Sequence, residues 1–239
     1  MDYQMTFKRY ELKYLLNQKE KECILKVMKD YMKLDSYGRT TIRNIYFDTD
    51  TFRLIRRSLE KPVYKEKLRI RSYCPVNAND PIFVELKKKY ESVVYKRRLV
   101  LPEKLVMDSF QNGTSLPETS QIAREIQYFR DYYENLHPTV FLSYEREAYY
   151  ALDGSDLRIT FDENIYYRRD DFSLGSEIYG SPLLEEDQSL MEIKISGGIP
   201  LWMSRILTQY HIYRSSFSKY GAAYRGMFTE EMKGGYCNA

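Results

Sequence analysis

Ten Lys and Arg residues crowd the stretch Val63 to Arg98, at positions 65, 67, 69, 71, 87, 88, 89, 96, 97 and 98. Only four acids, Glu66, Asp80, Glu85 and Glu91, accompany them, so the stretch carries +6 in a chain whose total is +3. Side chains two apart in a strand share a face. That rule stacks Lys65, Lys67, Arg69 and Arg71 on one side of VYKEKLRIRSY, opposite Glu66, Leu68, Ile70 and Ser72. It aligns Phe83, Glu85, Lys87 and Lys89 in the next run and Lys96 with Arg98 in the third. An alternating pattern usually means a solvated sheet face. Solvated faces mix signs, because like charges opposite one another destabilise a sheet. At about 4 Å and an effective dielectric near 20, a like pair costs on the order of 4 kcal/mol before screening. A polyanion is the natural partner of such a row, and Arg and Lys are the residues that engage phosphate, as a fork of donors and as a point charge.

The three runs read as strands, joined by a turn from Cys74 to Pro81 and a short turn at Glu91 and Ser92. Met5 to Leu16 alternates as a strand, with Arg9, Glu11 and Lys13 on one face and Lys8, Tyr10, Leu12 and Tyr14 on the other. Asn17 opens a helical pattern, Ile24, Val27, Met28, Tyr31, Met32, that runs to about Leu34. Thr40 to Asp48 is a strand, and Asp50 is placed to cap a short helix through Leu59. Leu101 to Pro117 reads as a connector and Glu118 to Leu136 as a helix striped by Ile122, Ile126, Phe129 and Tyr133. Strands return from Thr139, with Leu142, Tyr144, Arg146 and Ala148 on one side; Asp153-Gly154 turns into a strand carrying Arg158, Thr160, Asp162 and Asn164 on one face. Tyr166 to Asp187 reads as a loop outside the core. Leu190 to Ser196 sets Glu192 and Lys194 against Met191, Ile193 and Ile195, and two helices follow, one from Pro200 and one over SSFSKYGAAYRGMF.

The order predicts an α+β fold, and with no break in composition residues 1–239 read as a single domain. About eight antiparallel strands can close into a barrel wide enough for one narrow ligand. With the apolar faces turned outward under helices, Lys13, Arg69, Arg71, Lys87, Lys96 and Arg146 line a wet lumen. Such a charged tunnel is costly when empty and suited to phosphate. Other chemistries find little footing. The three cysteines, Cys23, Cys74 and Cys237, are scattered, and the two histidines, His137 and His211, lie far apart; no P-loop and no G-x-S-x-G occurs. No apolar run reaches membrane-spanning length, and the start is unlike a signal peptide, which points to a cytoplasmic protein, at most peripheral to a membrane. Nucleic acid is disfavoured, because the basic row faces inward instead of forming an open groove with stacking aromatics.

The motifs RYELKYLL, YFDT, LRIRSY, FVELKKK, FLSYERE, LMEIKI and FSKY, in this order over nearly the whole chain, resemble the VTC domain. That is the polyphosphate polymerase branch of the triphosphate tunnel metalloenzyme superfamily. The resemblance implies a β-tunnel enzyme that, with Mn²⁺ or Mg²⁺, moves the γ-phosphate of ATP onto growing polyphosphate. Carried over by motif, the phosphate ligands are Lys13, Arg69, Arg71, Lys87, Lys96, Arg146, Ser218 and Lys219; Tyr144 flanks the path and Glu192 holds the metal, with Glu11 a second candidate ligand. Arg98, Arg158 and Lys194 join the phosphate-binding candidates. Arg69, Arg71, Lys87, Arg146 and Glu192 are the expected catalytic set. Glu85 and Asp162 are read as carboxylates that orient neighbouring cations.

Hydrolytic and cyclase relatives resemble one another in an E-x-E-x-K strand, whereas this chain has Arg9, Glu11, Lys13. The exchange favours the polymerase branch over two alternatives, a triphosphate or polyphosphate hydrolase and a non-catalytic polyphosphate or inositol-phosphate module. The yeast-type polymerase subunits carry membrane spans that this sequence lacks, so coupling to transport across a bilayer would need a membrane-protein partner.

Overall fold

The computed structural model describes residues 10–91 and 93–235, with side chains to residue 229. The expected strand start from Met5 with Lys8 and Arg9, the turn residue Ser92, and Cys237 lie outside the described residues. Among the described residues ten strands and six helices form one large antiparallel sheet with helices against it. Along the main path the order is β1 (Tyr10–Leu16), β10 (Ser189–Ile195), β8 (Arg158–Arg168), β7 (His137–Ala151), β3 (Thr40–Asp48), β4 (Tyr64–Ser72), β5 (Pro81–Tyr90) and β6 (Val93–Pro102). Two short strands lie off this path: β2 (Met32–Leu34) on β7 and β9 (Ser181–Pro182) on β8.

The expected closure into a barrel is not made. Among the described residues β1 and β6 are the ends of the ladder and do not pair with each other. Side chains span the seam instead, with Lys87 Nζ of β5 3.3 Å from a Glu11 carboxylate oxygen of β1. Alternation reports which face a residue occupies; whether two edges meet depends on accumulated twist and curvature, which it does not encode.

The inverted arrangement of faces follows from the alternation. Leu68, Ile70, Val84, Leu86 and Leu99 pack outward beneath α3 (Glu103–Gln111) and α4 (Gln121–Tyr133), through Val106, Ala123, Ile126 and Phe129. On the other half Ile159, Phe161, Met191 and Ile193 pack outward beneath α1 (Gln18–Met28) and α5 (Leu201–Gln209). A third cluster fills one end of the inner face. There α6 (Lys219–Gly235) lays Tyr220, Ala223 and Met227 against Ile42, Tyr46, Leu142 and Tyr144. Gly226 permits this close approach, since a Cβ there would collide with the Tyr167 ring.

Several local expectations need correction. The helix begun by the Asn17–Glu20 capping box ends at Met28. Met32 then enters β2 while remaining in the same core as Ile24 and Met28, so the apolar spacing alone does not separate the two outcomes. Helix α2 (Arg53–Leu59) is capped by Asp48, not Asp50: the Asp48 carboxylate accepts from the Leu54 and Ile55 amides at 2.8 and 3.0 Å, because Phe52 adopts a left-handed φ of 55° that folds the start of the helix back over the strand end. The connector after Leu101 contains α3, seated by buried Val106. Between 166 and 187, β8 continues to Arg168 and Leu174 is buried, so this excursion covers the outer core. Asn164, at φ 48°, interrupts the alternation and turns to Glu145 instead of the inner face.

Candidate functional site

The inner face encloses a cavity of about 830 Å³ lined by eleven Lys or Arg side chains and four carboxylates. Every residue singled out as catalytic, phosphate-binding or metal-binding lines it: Glu11, Lys13, Arg69, Arg71, Lys87, Lys96, Arg98, Tyr144, Arg146, Arg158, Glu192, Lys194, Ser218 and Lys219. Eight strand segments and the start of α6 converge on one space, which is what inner-face alternation on a curled sheet produces.

One wall is built by β4, β5 and β6. Register places Lys67 opposite Lys87 and Lys87 opposite Lys96, so three lysines face one another across the sheet. In the next inward-facing row Arg69, Glu85 and Arg98 are opposed. Glu85 is 1% exposed and gathers four cations: Arg69 Nη2 at 2.7 Å, Lys96 Nζ at 2.6 Å, Arg98, and Arg71 Nε at 4.0 Å. Burial alone would raise the Glu85 pKa, but Arg69, Arg71 and Lys96 outweigh it and hold the carboxyl far below the usual range. Arg71 is fixed by Asn44 Oδ1 at 2.8 Å and Tyr144 Oη at 2.9 Å, and Arg69 Nη1 donates to Tyr46 Oη at 2.9 Å. The forks are therefore set before any ligand arrives.

The opposite wall, β1, β10, β8 and β7, interleaves the signs. Lys13 opposes Glu192 and Glu11 opposes Lys194, giving a checkerboard across two strands. Glu192 lies 3.4 Å from Lys13, 3.0 Å from Lys194 and 3.6 Å from both Arg146 and Lys219. Burial pushes its pKa up, and Lys194, Lys219, Lys13 and Arg146 overcome that and drive it well below the usual range. Burial of Glu11 is likewise outweighed, chiefly by Lys87 with help from Lys13 and Lys194, which leaves it at about 2. Asp162, fully buried, accepts from Arg146 Nε at 2.5 Å and from Lys219, and so orients both. Lys219 and Arg146 also lie over the Tyr144 ring, 4.5 and 5.1 Å from its centroid, where its negative face attracts them.

Lys67 is the residue that the motif comparison missed. It shares the face of Arg69 and Arg71, which the strand period displays, and its Nζ sits 3.4 Å from Ser218 Oγ. Burial depresses it to about 8, with Lys13, Lys65 and Lys87 adding to the effect. Tyr46, Tyr73 and Thr160 also line the cavity and were not anticipated. Among the described residues no three His, Cys, Asp or Glu groups converge into a self-sufficient metal cage. Glu11 and Glu192 share Lys13. Two carboxylates suit an ion that arrives with phosphate oxygens as its remaining ligands. Also among the described residues, no helix is long and apolar enough to cross a membrane.

The sequence profile of the VTC domain matches residues 8–228. No curated protein sequence matches the chain. Among solved structures, the chain is similar to a Hippeastrum protein described as a candidate adenylyl cyclase with a dominant triphosphatase activity: 18% identity, TM-score 0.56, over 90% of this chain and 95% of that one. A candidate adenylate cyclase from Bacillus halodurans is similar at 15% identity and TM-score 0.55, over 90% and 95%. Another from Vibrio parahaemolyticus is similar at 12% identity and TM-score 0.50, over 90% and 97%. At these identities the likeness is one of fold.

Proposed function

Because the chain belongs to the VTC domain family, we propose that it is an enzyme that transfers the γ-phosphate of ATP to a growing polyphosphate chain inside the basic bore. The observation that carries this reading is the eleven-to-four excess of cations over carboxylates, among the described residues, around one cavity. A string of phosphates neutralises such a lining along its length, whereas a single small anion would not.

Phosphoryl transfer leaves a protein little covalent work; it must align donor and acceptor and neutralise the transferred group. Arg69, Arg71 and Arg146 grip the nucleotide phosphates. Glu85, Asn44 and Asp162 hold their planes from behind, and a guanidinium has five donors, more than these anchors consume. Lys13, Lys67, Lys87, Lys96 and Lys219 hold the acceptor chain in line as point charges. Arg98, Arg158, Lys194 and Ser218 extend the path, and Tyr144 keeps Arg146 and Lys219 in place. The acceptor is itself an anionic phosphate oxygen, so no side-chain base is needed. A divalent ion, Mn²⁺ or Mg²⁺, would be held by Glu192 and Glu11 and would neutralise phosphate oxygens.

The test is product sizing after incubation of the chain with ATP and MnCl₂. Polyphosphate of many units supports the reading. Orthophosphate alone would sink it in favour of hydrolysis, and tight polyphosphate binding without turnover would make the bore a binding module.

A further inference from the structure

The outer side of the sheet carries a second cluster, separate from the bore. Arg43 of β3 lies opposite Ser72 of β4 on one side and opposite Ser143 of β7 on the other. All three are buried, at 6%, 1% and 0% exposure. Arg43 Nε, Arg43 Nη1, Ser72 Oγ and Ser143 Oγ have no hydrogen-bond partner; they are four of the six such buried side-chain atoms among the described residues. Buried polar groups are nearly always satisfied, and an unsatisfied set in one contiguous row calls for an explanation.

The charge narrows the explanation. A guanidinium does not deprotonate in a protein, and a buried charge without a partner is costly. The nearest electrostatic influences are weak compensation. Glu177, which is exposed, attracts Arg43 from beyond ion-pair range, while Arg168 repels it. Arg168 is itself buried, and it is satisfied by the carbonyls of Asp170 and Asp171 at 2.8–3.2 Å. Water alone would meet the hydroxyls and leave the positive charge without a counterion.

We propose that Arg43, flanked by Ser72 and Ser143, is a binding site for a small inorganic anion, held by the guanidinium with one flanking serine hydroxyl beside it. Hydroxyl hydrogens rotate toward whatever acceptor is present, and because the two serines flank Arg43 about 10 Å apart across three strands, one of them at a time can join the guanidinium in donating to the same ligand. The site lies back to back with the bore. Arg43 precedes Asn44, Ser72 follows Arg71 and Ser143 precedes Tyr144, and those three neighbours form the hydrogen-bonded set that fixes Arg71. An anion behind the sheet steadies the strands from which that set projects.

The experiment is a thermal melt of the whole chain with saturating tripolyphosphate, which occupies the bore cations. Sodium gluconate, chloride, bromide and phosphate are compared at equal ionic strength, in the wild type, in Arg43→Met and in Ser72→Ala/Ser143→Ala. Chloride and bromide, or phosphate, should raise the wild-type Tm by about 3 °C over gluconate. The increment should vanish in Arg43→Met and need about tenfold more anion in the serine variant. A halide-only increment identifies a halide site, and a phosphate-only increment an oxyanion site. Bromide-soaked crystals should show an anomalous peak beside Arg43 in the halide case. Equal Tm in all four salts, or an increment that survives both variants, would overturn the proposal. Should Arg43→Met fail to fold, the serine variant and the bromide map decide.

Discussion

The two walls of the bore differ in charge: one is strongly positive and the other close to balanced. On the wall of β4, β5 and β6, six lining cations (Lys67, Arg69, Arg71, Lys87, Lys96, Arg98) surround one strand carboxylate, Glu85, which pairs with four of them, Arg69, Arg71, Lys96 and Arg98. On the wall of β1, β10, β8 and β7, Lys13, Lys194 and Arg146 are interleaved with Glu11, Glu192 and Asp162. The first wall offers phosphate nothing but donors. The second is close to balanced. On the proposed function its carboxylates are the ones placed for a divalent ion, while cations of both walls hold phosphate.

Breaking the first wall at its hub should have the largest effect. Glu85→Gln strands Arg69, Arg98 and Lys96 and should cost about 4 kcal/mol in urea unfolding, much of it restored by tripolyphosphate. Glu11→Gln on the other wall, where water screens the charge, should cost less than about 1 kcal/mol. Equal losses would erase the distinction between the walls. Next, Glu192→Gln should lower turnover about 100-fold while leaving the calorimetric affinity for tripolyphosphate unchanged or tighter; parallel loss of both would assign Glu192 to binding. Smaller still, Lys67→Met should weaken tripolyphosphate about tenfold, against about threefold for Lys194→Met, whose charge Glu192 already offsets. A reversed order would overturn that contrast in charge.

Changing pH should sharpen the comparison most gently. Burial depresses Lys67 and Lys96 to about 8, below the ordinary lysine value. A depressed lysine disfavours the folded state while it is charged, so this penalty fades as pH rises from about 8 toward the ordinary value. Bound phosphate favours the charged form, so affinity is greatest below about pH 8 and falls above it. Titrating tripolyphosphate affinity from pH 6.5 to 9.5 should show a few-fold decline, reduced in Lys67→Met. A flat profile would mean that these lysines keep their protons throughout.

Much of this was legible because a strand's period of two is rigid. The face bearing Arg69, Arg71 and Lys87, and the opposite face bearing Leu68, Ile70 and Leu86, follow from parity alone. Parity fails where the backbone leaves the regular strand, as at Asn164 with its φ of 48°. It also cannot choose a cap: Asp48 and Asp50 are both near the start of α2, and only the left-handed Phe52 decides between them. Lys67 was visible by parity but absent from the motif comparison, because it lies one residue ahead of the motif that begins at Leu68. Glu85 was legible as a carboxylate among cations, but which four it pairs with was beyond reach, because that depends on register across three strands. The open seam was illegible for the same reason.

That seam has a mechanical consequence. In a fully paired barrel, strand number and shear dictate the radius, and the contents must conform. Here the girth between β1 and β5 is spanned by Glu11 and Lys87, a link of adjustable length. At that point the width of the bore rests on two side chains instead of a backbone ladder.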